Sequence, residues 1–280
     1  MTTDALAVAY GLGSAITWGA ADFSGGYACR NNKVLTVIFY VHIVGLISLA
    51  GLHFLFAEKP PVPAHLAWGG LAGFFGVLGL VALYKGLATG RMGIVAPVSS
   101  LVAATLPIIV AFFSEGLPRT SQMVGFTAAL VAVWLFSSGQ GHIRSLGTEL
   151  GLSLLAGTGF SLFFICIDHV SSEAILWPLL TARAVSILFI GAILATRGRP
   201  PLPPRGHLPY IAIAGIFDVV GNAFFALATQ SGRLDVSAIL TSMYPAATVM
   251  LARWFLKEQV SPRQYLGLLT ACSALALIAV

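Results

Sequence analysis

The chain has 280 residues, of which 58% are hydrophobic and only 9% charged. A soluble globular protein carries about 25% charged residues, so this chain has too little polar surface to face water and must take lipid as its main solvent. Its formal charge of +5 comes from lysines and arginines scattered over short loops. There is no basic stripe with interleaved aromatics, which argues against a nucleic-acid partner.

A membrane-spanning helix needs about 20 mostly apolar residues. That criterion predicts ten helices, at 5–27, 34–56, 65–88, 93–113, 120–138, 148–168, 174–196, 208–230, 235–256 and 262–280. Between them stand clear breaks such as Arg30-Asn31-Asn32-Lys33, Glu58-Lys59-Pro60-Pro61 and Gly116-Leu117-Pro118-Arg119. The apolar runs are too long and continuous for barrel strands. The N-terminus lacks a basic flank and a cleavage site, so the first apolar run reads as a retained anchor. The expectation is an all-α integral membrane protein, multi-pass, in the lipid bilayer of a cell (inner) membrane, as a monomer or homodimer.

The chain writes one pattern twice. Gly90-Arg91-Met92-Gly93 opens a run that ends at Phe113-Ser114-Glu115, and Gly232-Arg233-Leu234-Asp235 opens another that ends at Phe255-Leu256-Lys257-Glu258. The offset is 233 − 91 = 142, and the same offset pairs Gly73 with Gly215, Gly79 with Gly221, Ser100 with Ser242 and Gly125 with Gly267. A constant register over about sixty positions indicates two copies of one unit, 1–140 and 141–280. Five helices per copy is an odd number, so alternation across the bilayer starts the second copy on the opposite side. Ten helices then form two inverted five-helix repeats around a central cavity, the arrangement of many secondary transporters with a site near the midplane.

Within the helices, Gly69, Gly73, Gly76 and Gly79 follow three- and four-residue steps. That spacing lets backbones approach closely in lipid, for tight packing or as a sliding surface. Pro97, Pro107 and Pro245 interrupt the fourth and ninth runs as hinges or kinks. Ser237, Thr241, Tyr244 and Thr248 form a polar row that lines a cavity or bonds a neighbouring helix.

Trp18-Gly19-Ala20-Ala21-Asp22-Phe23-Ser24-Gly25-Gly26, the helix-ending Glu115 and Glu258 ahead of glycine-bearing helices, and Arg183 together resemble the EamA branch of the drug/metabolite transporter superfamily. The resemblance covers essentially the whole chain. It implies ten helices, a central cavity, termini in the cytoplasm, and export of amino acids, other small metabolites or drugs. The second copy departs from it with Phe160-Ser161 in place of Trp18-Gly19, and the first has Val41 opposite Arg183, so the cavity is expected to be asymmetric. Loop charge points the other way on orientation. Loops after odd-numbered helices carry nine Lys and Arg, those after even-numbered helices three, which by the positive-inside rule puts both termini outside.

Charge at a helix centre costs about 2.5–3.5 kcal/mol on insertion scales, so intramembrane ionisable groups face a cavity or a partner. Here these are Asp22, His42, Arg183 and Asp218, with Asn222 one turn beyond Asp218. Lys85, near a helix end, is expected to snorkel. Asp22 stands one turn after Trp18 on the same face. Arg183 is expected to grip a substrate carboxylate with its planar fork, or to pair with an aspartate when the site is empty. Asp218 or Asp22 is the candidate proton-coupling group, since a carboxylate withdrawn from water favours its protonated form. Trp18, Tyr40, Tyr84 and Tyr244 are the candidate stacking walls, and Thr241 a further polar contact. Glu115 and Glu258 read as interface anchors beside Arg119 and Arg263.

Enzyme functions find no support. The chain shows neither paired aspartates nor a serine–histidine arrangement, no acidic metal cluster and no glycine-rich phosphate loop, and Cys29, Cys166 and Cys272 lack disulfide or zinc spacing. No cofactor or metal is expected. The leading expectation is a secondary active transporter that exports small-molecule substrates, metabolites such as amino acids or drugs, by alternating access with proton coupling. A lipid or polyprenyl-phosphate flippase is the alternative, and a channel or non-transporting membrane protein the second.

Overall fold

Long apolar runs punctuated by Gly, Pro and charged turns fold as helices because only internal hydrogen bonding satisfies the backbone in lipid. The computed structural model describes residues 3–89, 92–137, 146–196, 202–256 and 261–279, and among these it contains helices and no strand. They are α1 (Thr3–Cys29), α2 (Val34–Phe56), α3 (Pro63–Thr89), α4 (Met92–Ser114), α5 (Thr120–Ser137), α6 (Leu146–Ser171), α7 (Leu176–Thr196), α8 (Leu208–Ser231), α9 (Leu234–Thr241), α10 (Tyr244–Leu256) and α11 (Pro262–Ala279). Glu258, Arg91 and the stretch 138–145 lie outside the described residues.

Six helical stretches among the described residues are long and apolar enough to cross a membrane: α2, α3, most of α6, α7, α8 and the α9–α10 pair. Shorter apolar helices run over Val98–Ser114 and Thr120–Ala132. The 27-residue α1 is not among the six; its Gly, Ser, Thr and Asp22 dilute its apolar character. The surface is inverted relative to a soluble protein. Phe54, Phe113, Leu188, Trp254 and Leu269 are exposed, while Ser14, Asp22, His42, Ser99 and Arg183 are buried. An apolar exterior around a polar interior is the arrangement lipid demands.

The predicted ninth helix is divided. α9 ends at Thr241 and α10 starts at Tyr244. Pro245 has no N–H to give the Thr241 carbonyl, so the chain tightens there, with Met243 N–H on the Leu240 carbonyl at 3.2 Å and Ala246 N–H on the Met243 carbonyl at 3.0 Å. α4 runs without interruption past positions 97 and 107.

One helix start repeats at the 142-residue offset. The start of α5 at Thr120 matches that of α11 at Pro262, since 120 + 142 = 262. Contacts repeat too. A Cβ on Gly73 of α3 would strike the backbone of Ala182 in α7, and one on Gly215 of α8 would strike the Val41 carbonyl in α2. A Cβ on Gly79 would meet Phe160, and one on Gly221 would meet Trp18. The glycines therefore hold α3 against α6 and α7, and α8 against α1 and α2, in matching registers.

Helix ends are tied across the two copies. At one end, Glu58 in the α2–α3 loop sits on the N-terminus of α7: Oε1 accepts the Ile175 N–H at 2.8 Å, and Oε2 accepts those of Leu176 and Trp177 at 2.9 and 3.0 Å. The Trp177 indole N–H returns a bond to the Glu58 carbonyl at 3.0 Å. Glu115, just beyond α4, does the same for α9, accepting the Leu234 N–H at 3.1 Å. Arg233 closes this junction by donating to the carbonyls of Glu115 and Gly116 at 3.1 and 2.8 Å and to the Asp235 carboxylate at 2.8 Å. The Glu115 partner is thus Arg233 of the other copy, where the sequence had placed it beside Arg119. The two junctions share an end, since Gln230 at the close of α8 donates to the Ser171 carbonyl at the close of α6. At the other end Asn32 donates to His207 Nδ1 at 2.6 Å, and Tyr27 packs on Tyr210 at 4.6 Å between ring centroids.

Candidate functional site

Among the described residues, close helix contacts leave an interior void near the middle of the helices. It encloses about 590 Å³ of empty space, mouth included. Its wall comes from both copies: Trp18 and Asp22 of α1, His42 of α2, Gly73, Gly76 and Leu80 of α3, Phe160 and Phe163 of α6, Leu179, Arg183 and Ser186 of α7, Asp218 and Asn222 of α8, and Tyr244 of α10. Helical spacing puts these residues there. Trp18 and Asp22, Leu179 and Arg183, and Asp218 and Asn222 are each four apart and share a face.

Arg183 and Asp218 form a direct ion pair between α7 and α8, with side chains 9% and 16% exposed. The Asp218 carbonyl also accepts the Asn222 amide at 2.7 Å and the Trp18 indole N–H at 3.3 Å. The Trp18 ring lies against Phe164 at 5.5 Å between centroids, nearly parallel, with Phe163 at 6.2 Å and Phe225 at 6.4 Å. One wall is therefore an aromatic slab held in orientation by a single polar tip. The Tyr244 hydroxyl is engaged with Ser99 Oγ at 2.8 Å and the Ala96 carbonyl at 3.3 Å, which joins α10 to α4 behind the cavity.

Two groups stand apart from this network. His42 is 2% exposed, lines the cavity, and has no hydrogen-bond partner on either ring nitrogen. Asp22 is 7% exposed and lines the same cavity, while the arginine of the site is committed to Asp218. The ionisable set is thus one cation against two carboxylates, with an imidazole that needs a donor and an acceptor. A buried unpartnered nitrogen costs about 1–3 kcal/mol, and His42 belongs to the cavity wall.

Of the ten residues that the sequence nominates, seven converge here: Trp18, Asp22, His42, Arg183, Asp218, Asn222 and Tyr244. Tyr40, Tyr84 and Thr241 do not line the cavity. Tyr40 packs on Phe39 at 5.6 Å, outside the wall. The Tyr84 ring fills the space over Gly25, with its hydroxyl on the Ala21 carbonyl at 3.4 Å, so it welds α3 to α1. Thr241 is buried at the α9–α10 break. Within the polar row, Thr248 bonds the Gly19 carbonyl of α1 at 3.1 Å, Ser237 bonds the Arg233 carbonyl at the start of its own helix at 3.0 Å, Thr241 Oγ1 is buried without a partner, and Tyr244 lines the cavity. Lys85 is exposed. Among the wall residues not nominated, Phe160 carried a usable signal, since 160 − 142 = 18 makes it the counterpart of Trp18. Phe163, Leu179 and Ser186 carried none, being ordinary members of apolar runs.

Outside the membrane-spanning stretches, burial raises the Glu115 carboxyl above its ordinary range, against the Leu234 N–H and Arg233, which pull it down. Arg233 is held charged first by its hydrogen bond to Asp235. Cys29 and Cys166 are free and buried, and among the described residues no cluster of three His, Cys, Asp or Glu is placed to hold a metal.

A multi-helix membrane protein with a polar cavity between two repeated units is the class these features define. The EamA-like transporter family matches the chain twice, over residues 5–138 and 148–280, and the chain belongs to that family. A solved structure titled only "Crystal structure of protein" has the same fold, with a TM-score of 0.74 over 97% of this chain and 95% of its own at 13% identity. No curated protein matches the chain.

Proposed function

We propose that this chain is a secondary carrier for small metabolites or drugs, an exporter in the inner membrane that works by alternating access. Its ten passes form two inverted five-helix units, 1–140 and 141–280, with α9 and α10 sharing one pass. The observation that carries the reading is the cavity itself, lined from both copies and holding an ion pair, a further carboxylate and an unpartnered imidazole. Intramembrane ionisable groups around a midplane cavity between repeats are what a carrier of polar cargo needs.

The charge balance refines the site roles. Arg183 is neutralised by Asp218 in the empty cavity, and Asp22 is the carboxylate left to exchange a proton or meet a positive group on the cargo. Trp18, Phe160 and Phe163 supply the apolar wall, and His42 supplies the hydrogen-bonding contact. The same balance disfavours the polyprenyl-phosphate flippase, because an anionic headgroup would enter a site with two carboxylates and one arginine.

The test is uptake of labelled amino acids, nucleosides and organic amines into proteoliposomes, with and without a pH gradient, for wild type and Asp22→Asn. Saturable, gradient-driven movement of one class, made insensitive to the gradient in Asp22→Asn, is the expected result. Gradient-driven movement that survives in Asp22→Asn would remove the proton role from Asp22. Movement of a labelled lipid and of no soluble compound would establish the flippase instead.

A further inference from the structure

The two copies contribute unlike parts to the cavity wall. Where α1 and α8 place polar groups, the residues 142 positions away are apolar: Phe164 for Asp22, Gly76 for Asp218 and Leu80 for Asn222. Gly76 and Leu80 line the same cavity from α3, beside Phe160 and Phe163 of α6. One part of the wall is therefore polar and another wholly apolar. Most polar atoms of the first part are engaged within the protein. Arg183 pairs with Asp218, and the Trp18 indole and the Asn222 amide both donate to the Asp218 carbonyl. The Ser186 hydroxyl bonds the Gly73 carbonyl at 2.9 Å, and the Tyr244 hydroxyl bonds Ser99. What stays free mostly accepts. Among the described residues nothing donates to the Asp22 carboxylate or to Asn222 Oδ1. His42, with both ring nitrogens unpartnered, offers one acceptor and one donor as a neutral imidazole.

We propose that the cavity takes amphipathic amines, with the protonated amino group at Asp22 and an apolar or aromatic body against α3 and α6, and that Gly76 sets the size of that body. This rests on reading the cavity as the transport site. A protonated amine brings donors and one positive charge, which matches a wall with free acceptors and one carboxylate beyond its internal ion pair. A carboxylate on the cargo, as on a free amino acid, would meet an arginine already neutralised and add a third negative charge beside Asp22 and Asp218. The body finds aromatic faces in Trp18, Phe160 and Phe163. Gly76 differs from its neighbours on α3. A Cβ on Gly69 or Gly73 would strike the backbone of Pro178 or Ala182, so close helix packing requires those two glycines. A Cβ on Gly76 would instead meet the Phe163 side chain, at 3.1 Å. The space that Gly76 leaves belongs to the cavity, and a larger side chain there takes room from the cargo.

The experiment measures binding of tritiated 2-phenylethylamine to the purified full chain in detergent, by scintillation proximity, with competition by ethylamine, 3-phenylpropionate and phenylalanine. The aromatic amine is expected to bind about tenfold or more tighter than ethylamine, from burial of its ring, and about tenfold or more tighter than the two carboxylates, from charge. Asp22→Asn should lower its affinity by a similar factor. Gly76→Leu should weaken 2-phenylethylamine and leave ethylamine unchanged. Tighter or equal binding of either carboxylate, equal affinity for the two amines, or equal weakening of both by Gly76→Leu overturns the proposal. Should Gly76→Leu not fold, Phe163→Ala gives a second reading: it enlarges the same space and should shift preference towards 2-(naphthyl)ethylamine, and an unchanged ranking overturns the role of this space. Binding is read without transport, so the two failures separate. An amine that binds but does not move in proteoliposomes removes the carrier function and leaves the site, whereas carboxylates that are carried while 2-phenylethylamine does not bind overturn the site and leave the carrier.

Discussion

The Arg183–Asp218 pair makes a sharp quantitative prediction. Both side chains are nearly buried, at 9% and 16% exposure, between α7 and α8. Removing one partner of a buried pair costs about 3–5 kcal/mol, because the other charge is left without compensation, whereas replacing both by apolar residues is often close to neutral. The surroundings make the two single variants unequal. Arg183→Met leaves Asp218 and Asp22 facing one cavity with no cation, and belongs at the upper end, about 4–5 kcal/mol. Asp218→Asn leaves Arg183 with Asp22 as a second carboxylate on the same wall, and belongs at the lower end, about 3 kcal/mol. The double variant Arg183→Met, Asp218→Leu should cost far less than the sum, with a coupling of about 3 kcal/mol or more. Reversible unfolding in mixed detergent micelles, followed by tryptophan fluorescence, measures all three. Additive single costs, or Asp218→Asn costing more than Arg183→Met, would refute the pairing and the place given to Asp22.

Three further outcomes are expected. Gly73→Ala drives a Cβ into the backbone of Ala182 and should destabilise by about 1–3 kcal/mol. Gly51→Ala meets nothing within 4 Å and should stabilise α2 by about 0.5–1 kcal/mol; equal melting shifts in the two variants would contradict the close α3–α7 contact. His42→Phe removes two unpartnered nitrogens, so melting should hold or rise by about 1 kcal/mol of stability while cargo uptake falls at least about tenfold, the loss of one hydrogen-bonded contact of about 1.4 kcal/mol; undiminished uptake would show that His42 does not touch cargo. Burial raises the Glu115 carboxyl above the ordinary 4.5, so the folded protein keeps this proton to a higher pH than the unfolded chain does. The stability this contributes is present at low pH and is lost as pH rises through the raised value. Glu115→Gln should flatten that part of the melting profile, and an unaltered profile would mean that another group titrates there.

Helix placement and the repeat were legible in the chain because both are local properties. Apolar run length sets each helix, and a constant offset survives without knowledge of what touches what. The start of α5 reappears in the second copy at the same offset, as the start of α11. Composition likewise determined that lipid is the solvent, and the Trp18-Gly19 and Asp22 stretch pointed to the family.

What the sequence could not contain is how far each helix is rotated about its own axis and which neighbour it meets. Each residue step turns a helical side chain through about 100°, so a small rotation carries a side chain from cavity to lipid. Close backbone approach at Gly69, Gly73 and Gly79 sets the rotation of α3 against α6 and α7, and that turns Tyr84 onto α1 while Leu80 faces the void. The same packing decided that Arg183 meets Asp218 rather than Asp22, that Glu115 reaches Arg233 in the other copy, and that His42 sits in the cavity wall without a hydrogen-bond partner. Hydropathy says that these polar groups cost energy in lipid. Only the packed helices say which of them share that cost with a neighbour and which do not.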